Sequence, residues 1–162
     1  MSEDSQRSLV DHATGMYNKD GFRILATQYV KLARRMRKRV GLLLAMLEEA
    51  NGGDSLSQAG EEQRLSNAAE ILKLTFRDSD ILARVGSDKF AVLVPEIARK
   101  GDEAIRRRLE QRVESYNLRP YGSHPLSLRH SMVCPDPKSS YTLDDLFAQA
   151  EHQLADKAHS RH

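Results

Sequence analysis

Residues 81–94 read ILARVGSDKFAVLV, two short apolar runs around the polar tetrapeptide Gly86-Ser87-Asp88-Lys89. Each run has the length of a strand, and the glycine and aspartate between them favour a tight turn. The stretch therefore predicts a β-hairpin with strands at 81–85 and 90–94 and a polar, exposed tip.

Helical and strand patterns alternate on both sides of this hairpin. The predicted helices lie at 19–38, 60–76, 101–116 and from the capping box Thr142–Asp145 onward, and the further strands at 41–47 and 126–133. The run at 41–47 is apolar at every position, which is typical of a central strand covered on both faces. A hairpin inside an otherwise alternating order predicts an α+β fold, in which helices cover the faces of a mixed or antiparallel sheet.

The composition indicates one globular domain. The chain has 162 residues, of which 40% are hydrophobic and 30% charged, enough to form a packed core without a disulfide. The single cysteine, Cys134, is expected to be an inert packing residue. The longest apolar run, 41–47, is too short to cross a bilayer, which takes about 20 residues. No secretion signal is recognisable, so we expect a cytoplasmic protein.

Positive charge is concentrated near the end of the first predicted helix, although the net charge is only +2. The cations are Lys31, Arg34, Arg35, Arg37, Lys38 and Arg39. No aromatic platform accompanies them, and a helix C-terminus favours cations in any case, so nucleic acid is not an expected partner. The six histidines lack the paired spacing of a zinc site, and no metal is predicted.

Two motifs, DHATGMYNKDGF at 11–22 and RDSDILARVGSDKF at 77–90, resemble the D-x-L-T-G-L-x-N-R-x-x-F and R-x-x-D-x-x-x-R-x-G-G-D-E-F motifs of GGDEF domains in the diguanylate cyclase family. The resemblance covers 11–162 as one degenerate GGDEF domain and leaves 1–10 as a linker or leader. It implies a nucleotidyl-cyclase, palm-like fold with a mixed, mainly antiparallel five-stranded sheet.

The resemblance also implies a reaction that this sequence has lost. Family members condense two GTP molecules into cyclic di-GMP at divalent cations held by carboxylates. Counting back from Leu65 without gaps puts Ala45 at the first metal-binding aspartate, and the signature, here Gly86-Ser87-Asp88-Lys89-Phe90, has Lys89 in place of its glutamate. Neither side chain offers an oxygen. Magnesium binding is therefore expected to be lost, leaving no cofactor.

Nucleotide contacts are only partly retained. The family's guanine-reading asparagine falls at Gly53, its neighbouring aspartate is kept as Asp54, and a later guanine-binding aspartate maps near Glu62. We expect weak GTP binding at most. Lys89 has two interpretations: an ammonium that binds a nucleotide phosphate where a metal would sit, or a solvated turn lysine.

The family's R-x-x-D inhibitory site, which binds cyclic di-GMP, is matched by Arg77 and Asp80, with Arg108 as a second arginine. An arginine fork suits phosphate or a guanine edge, and a carboxylate accepts from guanine nitrogens. The alternative is structural: Arg77 ends a helix and Asp80 starts a strand.

Together these features predict a catalytically inactive bacterial GGDEF domain. It would act as a cyclic di-GMP receptor or as an interaction module beside sensor or phosphodiesterase domains, and dimerisation is implied by the family. Two alternatives stay open. One is an active cyclase that uses Glu48, Glu49 and Asp54 as rearranged ligands, and the other is a GTP-binding allosteric domain without turnover.

Overall fold

The computed structural model describes residues 8–48, 57–119 and 125–159. The predicted order of elements is confirmed in these ranges. The elements are α1 Lys19–Met36, β1 Gly41–Leu47, α2 Gln58–Thr75, β2 Ile81–Arg84, β3 Lys89–Val94, α3 Gly101–Asn117, β4 Leu128–Val133 and α4 Leu143–His159.

The four strands form one sheet in the order β2-β3-β1-β4, and every neighbouring pair is antiparallel. The expectation of five strands is therefore corrected to four within the described ranges. At the outer edge of β2, Tyr17 forms a single parallel bridge to Ala83. This pairing does not grow into a strand, because Gly15 turns the chain with φ of 76° just before it and Asn18 caps α1 just after it.

Helices cover both faces of the sheet. Along β1, the side chains of Leu43, Ala45 and Leu47 pack in the cluster under α2 and α3, whereas Leu42 and Leu44 pack in the cluster under α1 and α4. This alternation explains why β1 is apolar at every position: both of its faces are buried. None of the helices in the described ranges is long and apolar enough to span a membrane.

The capping box predicted at Thr142 and Asp145 is confirmed. The amide of Thr142 donates to Oδ2 of Asp145 at 2.9 Å, and the amide of Asp145 donates to Oγ1 of Thr142 at 3.1 Å. These reciprocal bonds form the capping box that begins α4. At α1, Oδ1 of Asn18 accepts from the amide of Gly21 at 2.9 Å.

Cys134 should react slowly with alkylating reagents. Burial, reinforced by the charge of Asp102, raises the pKa of its thiol to about 11 from the usual 9.0. Near neutral pH the thiolate fraction should then be about 100-fold lower than that of an unperturbed cysteine. Iodoacetamide labelling followed by mass spectrometry checks this, with the unfolded chain in urea as the control. Equal rates for the folded and unfolded chains would contradict it.

Candidate functional site

The hairpin tip is fastened to the N-terminal motif by Arg84. Its Nη1 lies 3.3 Å from Oδ1 of Asp11, and its Nη2 donates to the carbonyl of Ser87 at 2.7 Å. The other carboxylate oxygen of Asp11 accepts from the hydroxyl of Thr14 at 2.7 Å. The two sequence motifs therefore form one connected structure, in which Arg84 and Asp11 have structural roles.

The positions assigned to lost metal ligands face opposite helix layers. Ala45 pairs directly with Phe90, and its methyl group is buried under α2 and α3. Lys89 pairs directly with Met46, which packs against the cluster under α1 and α4. Since paired residues of a ladder point to the same face, the β1 neighbour of Lys89 is Met46 rather than Ala45. Residues 45–47 supply no side-chain oxygen to either face.

Lys89 is neither free nor fully solvated. Its ammonium lies 3.3 Å from Oε1 of Glu151 on α4, and the two side chains are 26% and 53% exposed. The pair lines a cavity of about 490 Å³ between the hairpin tip, α1 and α4. Phe22 and Phe147, which also line the cavity, pack edge to face with centroids 5.7 Å apart. The ammonium is thus positioned by an ion pair above an apolar surface.

Carboxylates near the end of β1 are few. The carbonyl of Asp88 accepts from the amide of Leu47 at 2.8 Å, which sets Asp88 beside this strand end. Oε1 of Glu48 accepts from the hydroxyl of Ser127 at 2.7 Å. Within 8–48, 57–119 and 125–159, no three His, Cys, Asp or Glu side chains are grouped to hold a metal ion. Glu49 and Asp54 lie outside the described residues.

Arg64, on α2, is a buried cation that sequence reasoning did not identify. It is 5% exposed, and its Nη2 donates to the carbonyl of Glu48 at 2.6 Å. Its Nε has no hydrogen-bond partner among the described residues. The spacing to the buried Ala68 and Ile71, four and seven residues later, is the signal that places it on the inner face. Positive charge therefore lies near the end of β1 on the α2 side of the sheet, as well as on the α4 side, where Lys89 lies.

The three residues predicted for ligand binding come together at the other end of the sheet. Arg77, Asp80 and Arg108 line one cavity of about 520 Å³, which Tyr29 and Ile97 also line. Asp80 accepts from the amide of Arg77 at 2.8 Å through Oδ2, and Nη1 of Arg108 donates to the carbonyl of Thr75 at 3.0 Å. The side chain of Arg77 is exposed at the cavity mouth.

Asp80 has opposing influences on its charge. Burial raises the pKa of its carboxyl above the usual 3.8 and is the largest cause, whereas the hydrogen bond from the Arg77 amide and the charges of Arg77 and Arg108 lower it. The pKa is raised on balance. Both the structural role and the binding role proposed for this pair are compatible with this geometry, because the Asp80 carboxylate binds backbone and also faces the cavity.

A family model described as diguanylate cyclase, GGDEF domain, matches residues 8–162. The chain belongs to this family. Its GGDEF fold is also found in solved structures. The GGDEF domain of FimX from Pseudomonas aeruginosa is 24% identical, with a TM-score of 0.79 over 95% of this chain and 96% of that one. The GGDEF domain of DgcB from Caulobacter crescentus, solved in complex with c-di-GMP, is 16% identical, with a TM-score of 0.83 over 96% and 90%.

A curated relative is much longer than this GGDEF domain. The cyclic di-GMP phosphodiesterase NbdA of Pseudomonas aeruginosa is 29% identical over 89 residues, which are 54% of this chain and 11% of that protein. The matched segment is thus a small part of that relative.

Of the predicted nucleotide residues, Glu62 is described by the structure, and it does not line the Arg77 cavity. Glu62 lies near the start of α2, where it is exposed and accepts from Nε2 of Gln58 at 3.4 Å. Asp54 and Gly53 fall outside the described residues. The guanine-site prediction for Asp54 and Glu62 therefore stays a prediction.

Proposed function

We propose that this GGDEF domain acts in cyclic di-GMP signalling without synthesising cyclic di-GMP. The observation that carries the proposal is the end of β1, where residues 45–47 offer no side-chain oxygen, while Lys89 places an ammonium at the adjacent hairpin tip. Magnesium takes hard oxygen ligands, and phosphoryl transfer needs that cation to offset the charge of the triphosphate. Among the described residues, no three His, Cys, Asp or Glu side chains are grouped to hold such a cation.

The charges around this position also oppose a divalent cation. Two like unit charges about 4 Å apart repel by about 4 kcal/mol at an effective dielectric of ~20, and a divalent ion about doubles this. Lys89 is partly compensated by Glu151, but Arg64 adds a buried positive charge near Glu48. Both features support loss of magnesium binding and, with it, loss of turnover.

The same domain retains the chemistry of a cyclic di-GMP receptor. Arg77 and Arg108 offer guanidinium groups to a phosphodiester or guanine edge, and Asp80 offers acceptors for guanine N–H groups. The shared cavity of about 520 Å³ is in the range of small-ligand sites. We therefore assign these three residues to cyclic di-GMP binding and expect the bound state to regulate neighbouring signalling domains.

Calorimetry with cyclic di-GMP, without magnesium, tests this proposal. A saturable heat that Arg77→Ala weakens supports the receptor. Flat heats would favour a module that acts through protein contacts alone. Detection of cyclic di-GMP after incubation with GTP and magnesium would overturn the inactive assignment.

Affinity for cyclic di-GMP should fall as the pH drops through the raised pKa of Asp80. Protonation removes the charge that guanine N–H groups would bind. The stability of the domain without ligand depends on pH in the opposite direction. The folded state binds the Asp80 proton more tightly than the unfolded state, so the free energy of unfolding falls as the pH rises from 3.8 through the folded-state pKa. Asp80→Asn should therefore weaken ligand binding without lowering thermal stability at neutral pH. A variant that unfolds at lower temperature yet binds normally would contradict this.

A further inference from the structure

One side of α1 exposes apolar residues that the fold does not use. Apolar residues recur at helical spacing along α1, and the structure divides them between a buried and an exposed face. Phe22, Ala26, Val30 and Ala33 face the sheet and are buried. Tyr29, Leu32 and Met36, here named the apolar row, are 39%, 49% and 55% exposed. Their spacing of three and four residues puts them on one line along the helix.

Cations border the apolar row on its solvent side. Arg35 lies three residues after Leu32 and four after Lys31, so these side chains are neighbours on the helix surface. Lys31 and Arg35 line a cavity of about 630 Å³ at the end of α1, opposite the loop before α4. Five cations line this cavity and no acid does; the cations are Lys31, Arg34, Arg35, Arg37 and Lys138.

Parts of this cationic surface are held in place. Nη2 of Arg34 donates to the hydroxyl of Ser140 at 3.1 Å, and its guanidinium carbon lies 5.8 Å from the ring centroid of Tyr141. A helix C-terminus favours cations, and this preference accounts for Arg34 and Arg35 in the last turn. It accounts neither for Lys138, which comes from another element, nor for the exposed apolar row.

The apolar row borders the cavity of Arg77 at one end, where Tyr29 shares the lining with Pro95, Glu96 and Ile97 of the turn between β3 and α3. The surface is thus an exposed apolar row on α1 with cations along one side. An amphipathic helix packs against such a row through anchors spaced three and four residues apart.

We propose that the apolar row and its cationic border form a docking surface for an acidic amphipathic helix of a partner protein. Charge complementarity selects this occupant, because carboxylates flanking the partner's apolar face would meet Lys31 and Arg35. A second copy of this chain, docked by the same face, would oppose cation to cation. A flat anionic membrane is disfavoured because Glu96, which lines a cavity together with Tyr29, adds a carboxylate at one end of the row.

A synthetic peptide tests this surface. The peptide carries leucines at helical spacing and glutamates on both flanks of the leucine face. We expect micromolar binding by fluorescence anisotropy. Leu32→Glu should weaken it at least about tenfold, because it removes a central apolar contact and adds repulsion. Arg35→Glu should weaken it less, with the loss shrinking at high salt. The matched control is Leu118→Glu, at a leucine 77% exposed on another element, which should bind normally.

Leu32 and Met36 do not line the cavity of Arg77, and the peptide is titrated without cyclic di-GMP, so failure of this surface is separate from failure of the proposed function. A peptide with lysines in place of the glutamates should not bind. The proposal is overturned if the acidic peptide fails to bind, or if it binds Leu32→Glu equally well. It is also overturned if Leu32→Glu instead abolishes binding to phosphatidylglycerol vesicles or self-association measured by analytical ultracentrifugation.

Discussion

The purified domain should produce no cyclic di-GMP when it is incubated with GTP and magnesium. The assay should be able to detect a turnover at least about a thousandfold below that of a metal-loaded cyclase. Metal-ion catalysis supplies several kcal/mol, and each 1.36 kcal/mol is about a factor of ten in rate. The reason lies at the end of β1, where residues 45–47 carry no side-chain oxygen. Liquid chromatography with mass spectrometry detects the product directly.

A second measurement makes this prediction independent of dimerisation, which synthesis from two GTP molecules requires. Manganese or magnesium should not tighten GTP binding to the wild-type domain, because residues 45–47 offer the cation no side-chain oxygen. This measurement needs only one nucleotide site, so it does not depend on dimerisation. A cation-dependent gain in GTP affinity, or any product above background, would contradict the inactive assignment.

Lys89→Glu should convert this position into a weak cation site. The new carboxylate would face Glu151 across the former 3.3 Å ion pair and lie next to Asp88, so a divalent cation would relieve their repulsion. Binding at ten times Kd stabilises by about 1.4 kcal/mol, or about 3–6 °C in Tm for a domain of this size. Lys89→Gln, which removes the ammonium without adding a carboxylate, and Lys138→Glu, which makes the same charge change elsewhere, should show no magnesium-dependent shift. Equal shifts in all three variants would contradict the assignment.

Arg77→Ala should weaken cyclic di-GMP binding by roughly 10- to 150-fold. A hydrogen bond to a charged group contributes about 1.5–3 kcal/mol, and Arg77 stands exposed at the cavity mouth with its side chain available. Isothermal titration calorimetry of wild type and variant measures the difference. Thermal unfolding of the variant should stay close to wild type, because the hydrogen bonds between Arg77 and Asp80 run through the backbone of residue 77.

Neighbouring arginines on α3 give a matched pair for this experiment. Arg108 lines the cavity, whereas Arg107 is exposed and does not. Arg108→Ala should therefore weaken binding, with some loss of stability because Arg108 also binds the carbonyl of Thr75. Arg107→Ala should leave both unchanged. Equal loss from Arg107→Ala and Arg108→Ala would indicate a general charge effect and remove the assigned site.

Much of the fold follows from local patterns. The unbroken apolar run of β1 predicts a strand buried on both faces, and β1 is the second inner strand of the sheet beside β3. The capping box at Thr142 and Asp145 begins α4 where expected. The fifth strand implied by the family resemblance is absent from the described ranges, since the turn at Gly15 and the cap at Asn18 leave only a one-residue bridge.

The site was less accessible to sequence reasoning. Counting residues against the family motif without gaps assigns Ala45 and Lys89 to one lost metal site. In the pairing of β1 with β3, however, the neighbour of Lys89 is Met46. Arg64 looks like an ordinary charge in a polar helix, yet it is buried. These differences arise because alignment by counting carries no information about which face a side chain occupies.

The sequence by itself determined the order of helices and strands, the caps, the family and the absence of oxygen ligands at 45–47. These depend on residue type and on spacing within one element. Only the tertiary structure decided that Lys89 meets Glu151, that Arg108 rather than Arg107 joins Arg77, and that Leu32 and Met36 of α1 stay exposed. Such contacts depend on strand register and on the rotation of each helix against the sheet, which are fixed by packing among residues far apart in the chain.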